Sequence, residues 1–270
     1  MGEFIHRSRR LYYEIRGEGR PLLFLHGLGN DHRQGLDTID AAEGRCLIVM
    51  DEQGHGRSDF CPEEMSFDSL GEDALALMDH LGWEKFWLAG ISMGAGAALN
   101  AALRCPRRIE GLALIRPAWI DGPMEEPVRQ LFTLLAACLP RENGRELFRQ
   151  EEAVSAFAAG WPRAVASLEG LFDDAVNVRT SQKFAVMPVC QPFEDLSALC
   201  GLTMPVLAAG CPGDPIHPWE YARWYADHIP GARLACLTPK SADPAAYHRE
   251  LNAALSMLQG ERAVCGFVNF

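Results

Sequence analysis

Lysine is scarce in this chain: Lys85, Lys183 and Lys240 are the only three among 25 basic residues. No basic run gathers the arginines, and 36 acidic residues bring the formal net charge to −11. Nucleic acid and anionic membrane surfaces reward clustered positive charge, so neither is expected as a partner. Long apolar runs are missing as well. Nothing approaches the ~18 residues that span a bilayer, and the opening stretch "MGEFIHRSRRLYYEIRGEG" carries no apolar segment of the secretory kind. The nine cysteines are scattered, with no C-x-x-C pair, which argues against a disulfide framework or a zinc site. Reduced thiols in a cytoplasmic protein are the simplest expectation, with Cys46, Cys138 and Cys236 read as small core residues because their neighbours are apolar. Internal repeats and low-complexity linkers are absent too.

What is present is an ordinary globular composition, 270 residues with 48% hydrophobic content. That length fits one large domain, or a domain carrying an insertion, with a substantial core. The first sixteen residues suggest two short strands. "PLLFLHG" is then a continuous apolar run ended by glycine, the pattern of a strand buried on both faces. "CLIVMD", "FWLAG", "GLALIR" and "MPVLAAG" repeat it, separated by helical stretches such as "SFDSLGEDALALMDHLG". Strands alternating with helices of this length predict βαβ units and a mainly parallel sheet.

Residues 120–195 break the rhythm. They read as amphipathic helical segments with no clear strand, and the strand–helix alternation resumes at Met204. The expectation is a helical cap at 120–195 inserted into a core made of 1–119 and 196–270. Plain extra helices on the sheet are the simpler alternative.

The strongest local signal is Gly90-Ile91-Ser92-Met93-Gly94, a G-x-S-x-G match between the strand "FWLAG" and the helix "MGAGAALNAALR". A serine on so tight a strand-to-helix turn needs small neighbours, because the backbone there is crowded. The helix N-terminus behind it favours developing negative charge. A chemically silent Gly/Ser turn is the bland alternative. "LFLHGLGND" supplies a second turn after a buried strand. Leu28 N–H there, with Met93 N–H, would make the two-donor oxyanion hole that acyl transfer requires. His26 is then expected to stabilise the turn rather than act as a base, with contact to a substrate as its other possible part.

Taken in order, "HGLG" after the third strand, "DEQGHGRSD" after the fourth and "GISMG" after the fifth resemble the α/β-hydrolase superfamily. The resemblance covers essentially the whole chain, with 120–195 in the place of the family's cap. It implies the α/β-hydrolase fold, a central mostly parallel sheet flanked by helices, and a serine nucleophile at Ser92. His55, within "DEQGHGRSD", matches a loop that shapes the site without doing chemistry. Asp214 in "AAGCPGDPIHP" matches the triad carboxylate. It is also a good helix N-cap before proline. Asp121 in "LIRPAWIDG" is the second candidate acid.

The family's histidine belongs in the loop after the last strand, and there the chain reads "CLTPKSAD", with Ala242 or Asp243 at the expected position. Two histidines are candidates to fill the gap. His217, three residues after Asp214, is preferred as the base. His248 is disfavoured because "DPAAYHRELNAALSML" looks like a helix capped at Asp243, with His248 inside it. Arg116, ending the strand "GLALIR", is expected at the carboxyl edge of the sheet, where it would pair with Asp121 or Asp214 or anchor an anionic substrate. The activity implied is hydrolysis of an ester, thioester or lactone of a small, partly apolar molecule, with no cofactor and no metal. The alternatives are a non-hydrolytic ligand-binding protein of the same fold, or a cofactor-free acyltransferase or lyase using the same cleft.

Overall fold

The structure, a computed structural model, describes residues 1–40 and 44–260. Eight strands form one sheet: β1 (Gly2–His6), β2 (Arg9–Arg16), β3 (Arg20–Leu25), β4 (Arg45–Met50), β5 (Phe86–Ile91), β6 (Ile109–Ile115), β7 (Val206–Gly210) and β8 (Arg233–Cys236). Their order is β1-β2-β4-β3-β5-β6-β7-β8. The β1–β2 and β2–β4 pairings are antiparallel, and every other pairing is parallel. The continuous apolar runs are the central parallel strands. Residues of β4, β5 and β7 are buried throughout, because helices cover both faces of a parallel sheet.

Eleven α-helices are found among the described residues. They are α1 (His32–Thr38), α2 (Phe67–His80), α3 (Met93–Arg104), α4 (Val128–Cys138), α5 (Gly144–Gln150), α6 (Glu152–Gly160), α7 (Pro162–Glu169), α8 (Ala175–Arg179), α9 (Lys183–Val186), α10 (Trp219–His228) and α11 (Pro244–Leu258). The pleat of β3 splits its side chains between two cores. Leu22 and Phe24 pack with Tyr247, Leu251 and Leu255 of α11. Leu23 and Leu25 pack on the opposite face with residues of α2 and α3. Each such fully buried leucine contributes about 1.5–3 kcal/mol through removal of its surface from water.

Helices α4 to α9 lie between β6 and β7, and their Leu131, Leu135, Phe148 and Phe184 join the larger of the two cores. None of the helices in the described residues is long and apolar enough to cross a membrane. The eight cysteines among the described residues are free thiols, and Cys46 and Cys138 are buried. Cys236 corrects the sequence expectation, for it is exposed. It lies on the edge strand β8, where the period of two turns Ala235 inward and Cys236 outward.

The strand order fixes where a ligand can enter. β3 runs between β4 and β5, so the connections leaving the carboxyl ends of β3 and β5 depart on opposite sides of the sheet. A crevice opens at such a reversal. The turn after β3 and the turn after β5 both face it.

Candidate active site

Ser92 sits between β5 and α3 with φ 56 and ψ −116. A non-glycine residue held there costs roughly 1–3 kcal/mol and persists only where its surroundings enforce it. The enforcement comes from two glycines and one hydrogen bond. A Cβ on Gly90 would collide with the Gly94 carbonyl, and a Cβ on Gly94 would collide with the carbonyls of Leu25 and His26. Ser92 N donates to Ile115 O at 3.0 Å, tying the turn to the end of β6. Ser92 stands at the N-cap of α3, yet its side chain caps nothing. Its hydroxyl is directed elsewhere.

That hydroxyl meets His217. Ser92 Oγ and His217 Nε2 are 2.9 Å apart, and His217 Nδ1 lies 3.0 Å from Asp214 Oδ2. Three residues on two loops therefore form a continuous chain of hydrogen bonds. The short spacing between Asp214 and His217 is accommodated by the loop after β7. Asp214 Oδ1 accepts from Ile216 N and His217 N, each at 3.1 Å, and this turn curls the imidazole back over the other carboxylate oxygen. Asp214 thus organises a turn with one oxygen and faces the imidazole with the other. It is not a helix cap: α10 begins at Trp219 with Pro218 as its N-cap.

Arg116 completes the group. Its φ of 45 turns the chain away at the end of β6, and its N–H donates to Ala209 O of β7 at 2.6 Å. Its guanidinium donates to Asp214 Oδ2 from Nη2 at 2.5 Å and Nε at 3.1 Å, with Nη2 also 3.1 Å from His217 Nδ1. Burial by itself would raise the Asp214 carboxyl, but the adjoining imidazole and guanidinium outweigh it and hold it well below the usual carboxylate range. Burial lowers the affinity of His217 for a proton, and the Arg116 charge lowers it further against the pull of Asp214. The imidazole is accordingly neutral near pH 7. The Asp214 charge favours the tautomer with Nδ1–H, which leaves the Nε2 lone pair for the serine hydroxyl.

Leu28 and Met93 flank the serine. Met93 is the first residue of α3, so its N–H has no acceptor within the helix. Gly27 brings the β3 turn so close that a Cβ on it would lie 3.3 Å from Ser92 Cβ. A cavity of about 280 Å³ is lined by Gly27, Leu28, Ser92, Arg116, His217 and Lys240, among others.

Other candidates fall elsewhere. His26 is not in this cavity, which corrects its reading as a substrate contact. Its ring is fully buried, with Nδ1 2.9 Å from Gly27 O and Nε2 accepting from Glu52 N at 3.0 Å. His55 is equally buried and accepts from Gly29 N at 3.0 Å. His248 lies within α11 and pairs with Asp40 at 3.3 Å. Asp121 is exposed and lines none of this cavity. Of Ala242 and Asp243, the two residues where the family's histidine is expected, Asp243 has a carboxylate that accepts from Ala245 N and Ala246 N to cap α11. Asp31, His32 and Asp51 bring metal-ligand atoms within 4.8 Å of one another. Those atoms are already spent: Asp51 Oδ1 accepts from His32 N and Nδ1, and the Asp31 carboxylate is held by Arg33.

Sequence reasoning passed over three groups. Asn177 of α8 donates to Gly29 O at 3.0 Å, and Lys183 of α9 donates to Gly54 O at 2.7 Å. Lys240 reaches the cavity from the loop before α11. None of them belongs to a local motif, and only their scarcity marked the lysines.

Comparison with known proteins agrees with this architecture. The family model described as alpha/beta hydrolase fold matches residues 20–137. The chain is 41% identical over 127 residues to the dihydrolipoyllysine-residue acetyltransferase component of the acetoin cleaving system of Pseudomonas putida, covering 46% of this chain and only 34% of that relative. It is 26% identical over 244 residues to the AB hydrolase superfamily protein YisY of Bacillus subtilis, covering 83% of this chain and 85% of the relative. Among solved structures it resembles MGS-M2, an alpha/beta hydrolase enzyme from a Medee basin deep-sea metagenome library. That likeness has a TM-score of 0.76 at 16% identity, over 99% of this chain and all of the other. The sheet order, the strained serine turn and the match through residues 20–137 lead to one conclusion: the chain has the α/β-hydrolase fold.

Proposed function

We propose that the protein is a hydrolase that cleaves a carboxylic ester, thioester or lactone through an acyl-enzyme on Ser92. The observation that carries the reading is the run of contacts from Ser92 Oγ to His217 Nε2 at 2.9 Å and from His217 Nδ1 to Asp214 at 3.0 Å. In this mechanism His217 Nε2 takes the hydroxyl proton as Ser92 Oγ bonds to the carbonyl carbon. The carbonyl electron pair moves onto oxygen, where Leu28 N–H and Met93 N–H hold it. Collapse of that intermediate expels the alcohol or thiol, which leaves with the proton from His217. Water then attacks the acyl-enzyme with the same base, and the acid departs as Ser92 is restored. Asp214 holds the imidazole in the working tautomer and stabilises its transient cation.

Similarity over most of its length to a protein named as an AB hydrolase superfamily protein supports the reaction type. The test is covalent labelling followed by turnover. A fluorophosphonate probe labels the wild type and not Ser92→Ala. With an activated aryl ester, His217→Ala lowers kcat by about 10²–10⁴-fold, the range of a lost general base, while His248→Ala keeps most of the rate. Labelling of Ser92→Ala equal to wild type removes the nucleophile from this reading. Loss of rate in His248→Ala with retention in His217→Ala reverses the assignment of the base.

A further inference from the structure

The loop between β8 and α11 holds no histidine, but it is not idle. Its Pro239–Asp243 stretch is a turn in which Ala242 N and Asp243 N both donate to Pro239 O, at 2.8 and 3.1 Å. Arg163 of α7 donates to Ser241 O at 3.3 Å and so braces the turn from across the cleft. Lys240 stands on this turn. It lines the cavity of about 280 Å³ that contains Ser92 and His217, and also an adjoining cavity of about 660 Å³ that Arg163 lines. The two spaces adjoin, sharing Arg116, Ser167, Ile216 and His217 as well as Lys240 in their linings.

An exposed lysine is ordinarily a solvated charge. Three observations set this one apart. It shares a wall with the nucleophile. Neither it nor Arg163 has an ion-pair partner among the described residues, in a chain where acidic groups outnumber basic ones by 36 to 25. Among the described residues the one carboxylate lining the larger space, Asp214, is already paired with Arg116. On the other side of Ile216 lies a third cavity of about 540 Å³, lined by Met124, Val128, Phe157 and Tyr221 and bearing Glu125 and Glu126. One arm of the cleft is therefore cationic, and the other is apolar with acidic groups.

We propose that Lys240, assisted by Arg163, binds a carboxylate on the substrate, so that the preferred acyl compound is a monoanion whose remaining portion is apolar. This rests on the acyl-hydrolase reading for its chemistry but not for its binding. Lys240 is a specificity residue on this account: its ammonium donates charge-assisted hydrogen bonds to the carboxylate while the scissile carbonyl lies at Ser92.

The experiment compares para-nitrophenyl hydrogen glutarate with para-nitrophenyl pentanoate in the wild type, Lys240→Met, Arg163→Met and, as a distant control, Lys85→Met. The ratio of kcat/KM for the charged over the neutral ester falls about tenfold in Lys240→Met, the size of one hydrogen bond to a charged group. The fall appears chiefly in KM, is smaller in Arg163→Met, and is absent in Lys85→Met. An unchanged ratio in Lys240→Met overturns the proposal. Binding is measured separately by calorimetry on Ser92→Ala, with monomethyl adipate against dimethyl adipate. Tighter binding of the monoanion, lost in Ser92→Ala/Lys240→Met, supports the site whether or not esters turn over. Equal binding of the two adipates overturns it. Anion binding with no turnover of either ester by the wild type would instead sink the hydrolase reading and leave the anion site standing.

Discussion

At the scale of single residues, Arg116 is the group whose role the sequence left most open. The expectation named two acids and an anionic substrate as its possible partners. The structure gives it Asp214, because the turn at φ 45 swings its side chain along the ends of β6 and β7. That choice has a kinetic consequence. His217 is held below its ordinary pKa first by burial and then by the Arg116 charge. In the proposed mechanism His217 is the general base, which works only when unprotonated, so the acid limb of kcat/KM is expected below the ordinary imidazole range. Arg116→Gln removes the cation while keeping a hydrogen-bond donor, and the limb moves to higher pH. A pH–rate profile of the two proteins checks this, and a limb that stays put or moves down removes Arg116 from the tuning of the base. Ser92 is legible in sequence because its constraint is local: two glycines and a strand–helix junction within a few residues. His217 is legible only as one of two candidates. Its distance to Ser92 depends on how one loop curls, and nothing in local spacing sets that.

At the scale of elements, α8 and α9 fasten the helical segment to the loops of the sheet. Asn177 holds Gly29 O of the β3 turn, while Lys183 and Thr180 hold Gly54 O of the β4 turn. The Lys183 ammonium is fully buried, and burial brings its pKa down to about 7, with Asp174 opposing and Arg179 assisting. His55 lies close enough to be influenced by its charge. A neutral amine still has two N–H groups, enough for Gly54 O and Thr180 Oγ1. The sign of the linkage follows. The folded group loses its proton near pH 7 and the unfolded one near 10.5, so between these values the unfolded chain binds more protons and stability rises with pH. The slope is ~1.4 kcal/mol per pH unit within that window. Urea titrations at pH 7, 8 and 9 should show this component in the wild type and not in Lys183→Met. Equal slopes in both would place the titration elsewhere. These contacts are invisible in sequence because they join residues more than 100 positions apart by way of backbone carbonyls, which carry no sequence signature.

At the scale of the whole molecule, one apolar core runs from the sheet into the helices between β6 and β7. Leu28, Trp119, Leu131, Phe148 and Phe184 belong to the same cluster. A shared core couples the two parts, so the helical segment is expected to unfold together with the sheet. Tryptophan fluorescence, which samples Trp161 on the helical segment and Trp87 in the sheet, and far-ultraviolet circular dichroism are expected to give coincident denaturation curves. Two separated transitions would show that the parts melt independently. The cleft is a property of this scale too. Its cationic wall combines Lys240 from the loop before α11, Arg163 from α7 and Arg116 just after β6.

By itself the sequence determined the strands, their parallel character and the strained turn that carries Ser92, because each depends on hydrophobic period and on glycines within one turn of chain. The tertiary structure alone decided the partner of the Ser92 hydroxyl and the walls around it. The stretch "CLTPKSAD" illustrates the division. In sequence it is a histidine missing from a motif. In the fold, Asp243 starts α11 and Lys240 reaches the cavity beside Ser92, while the imidazole arrives from the loop that carries Asp214. Which side chain fills a site is set by where loops from distant strands converge, and that convergence is written in the order of the sheet rather than in any single segment.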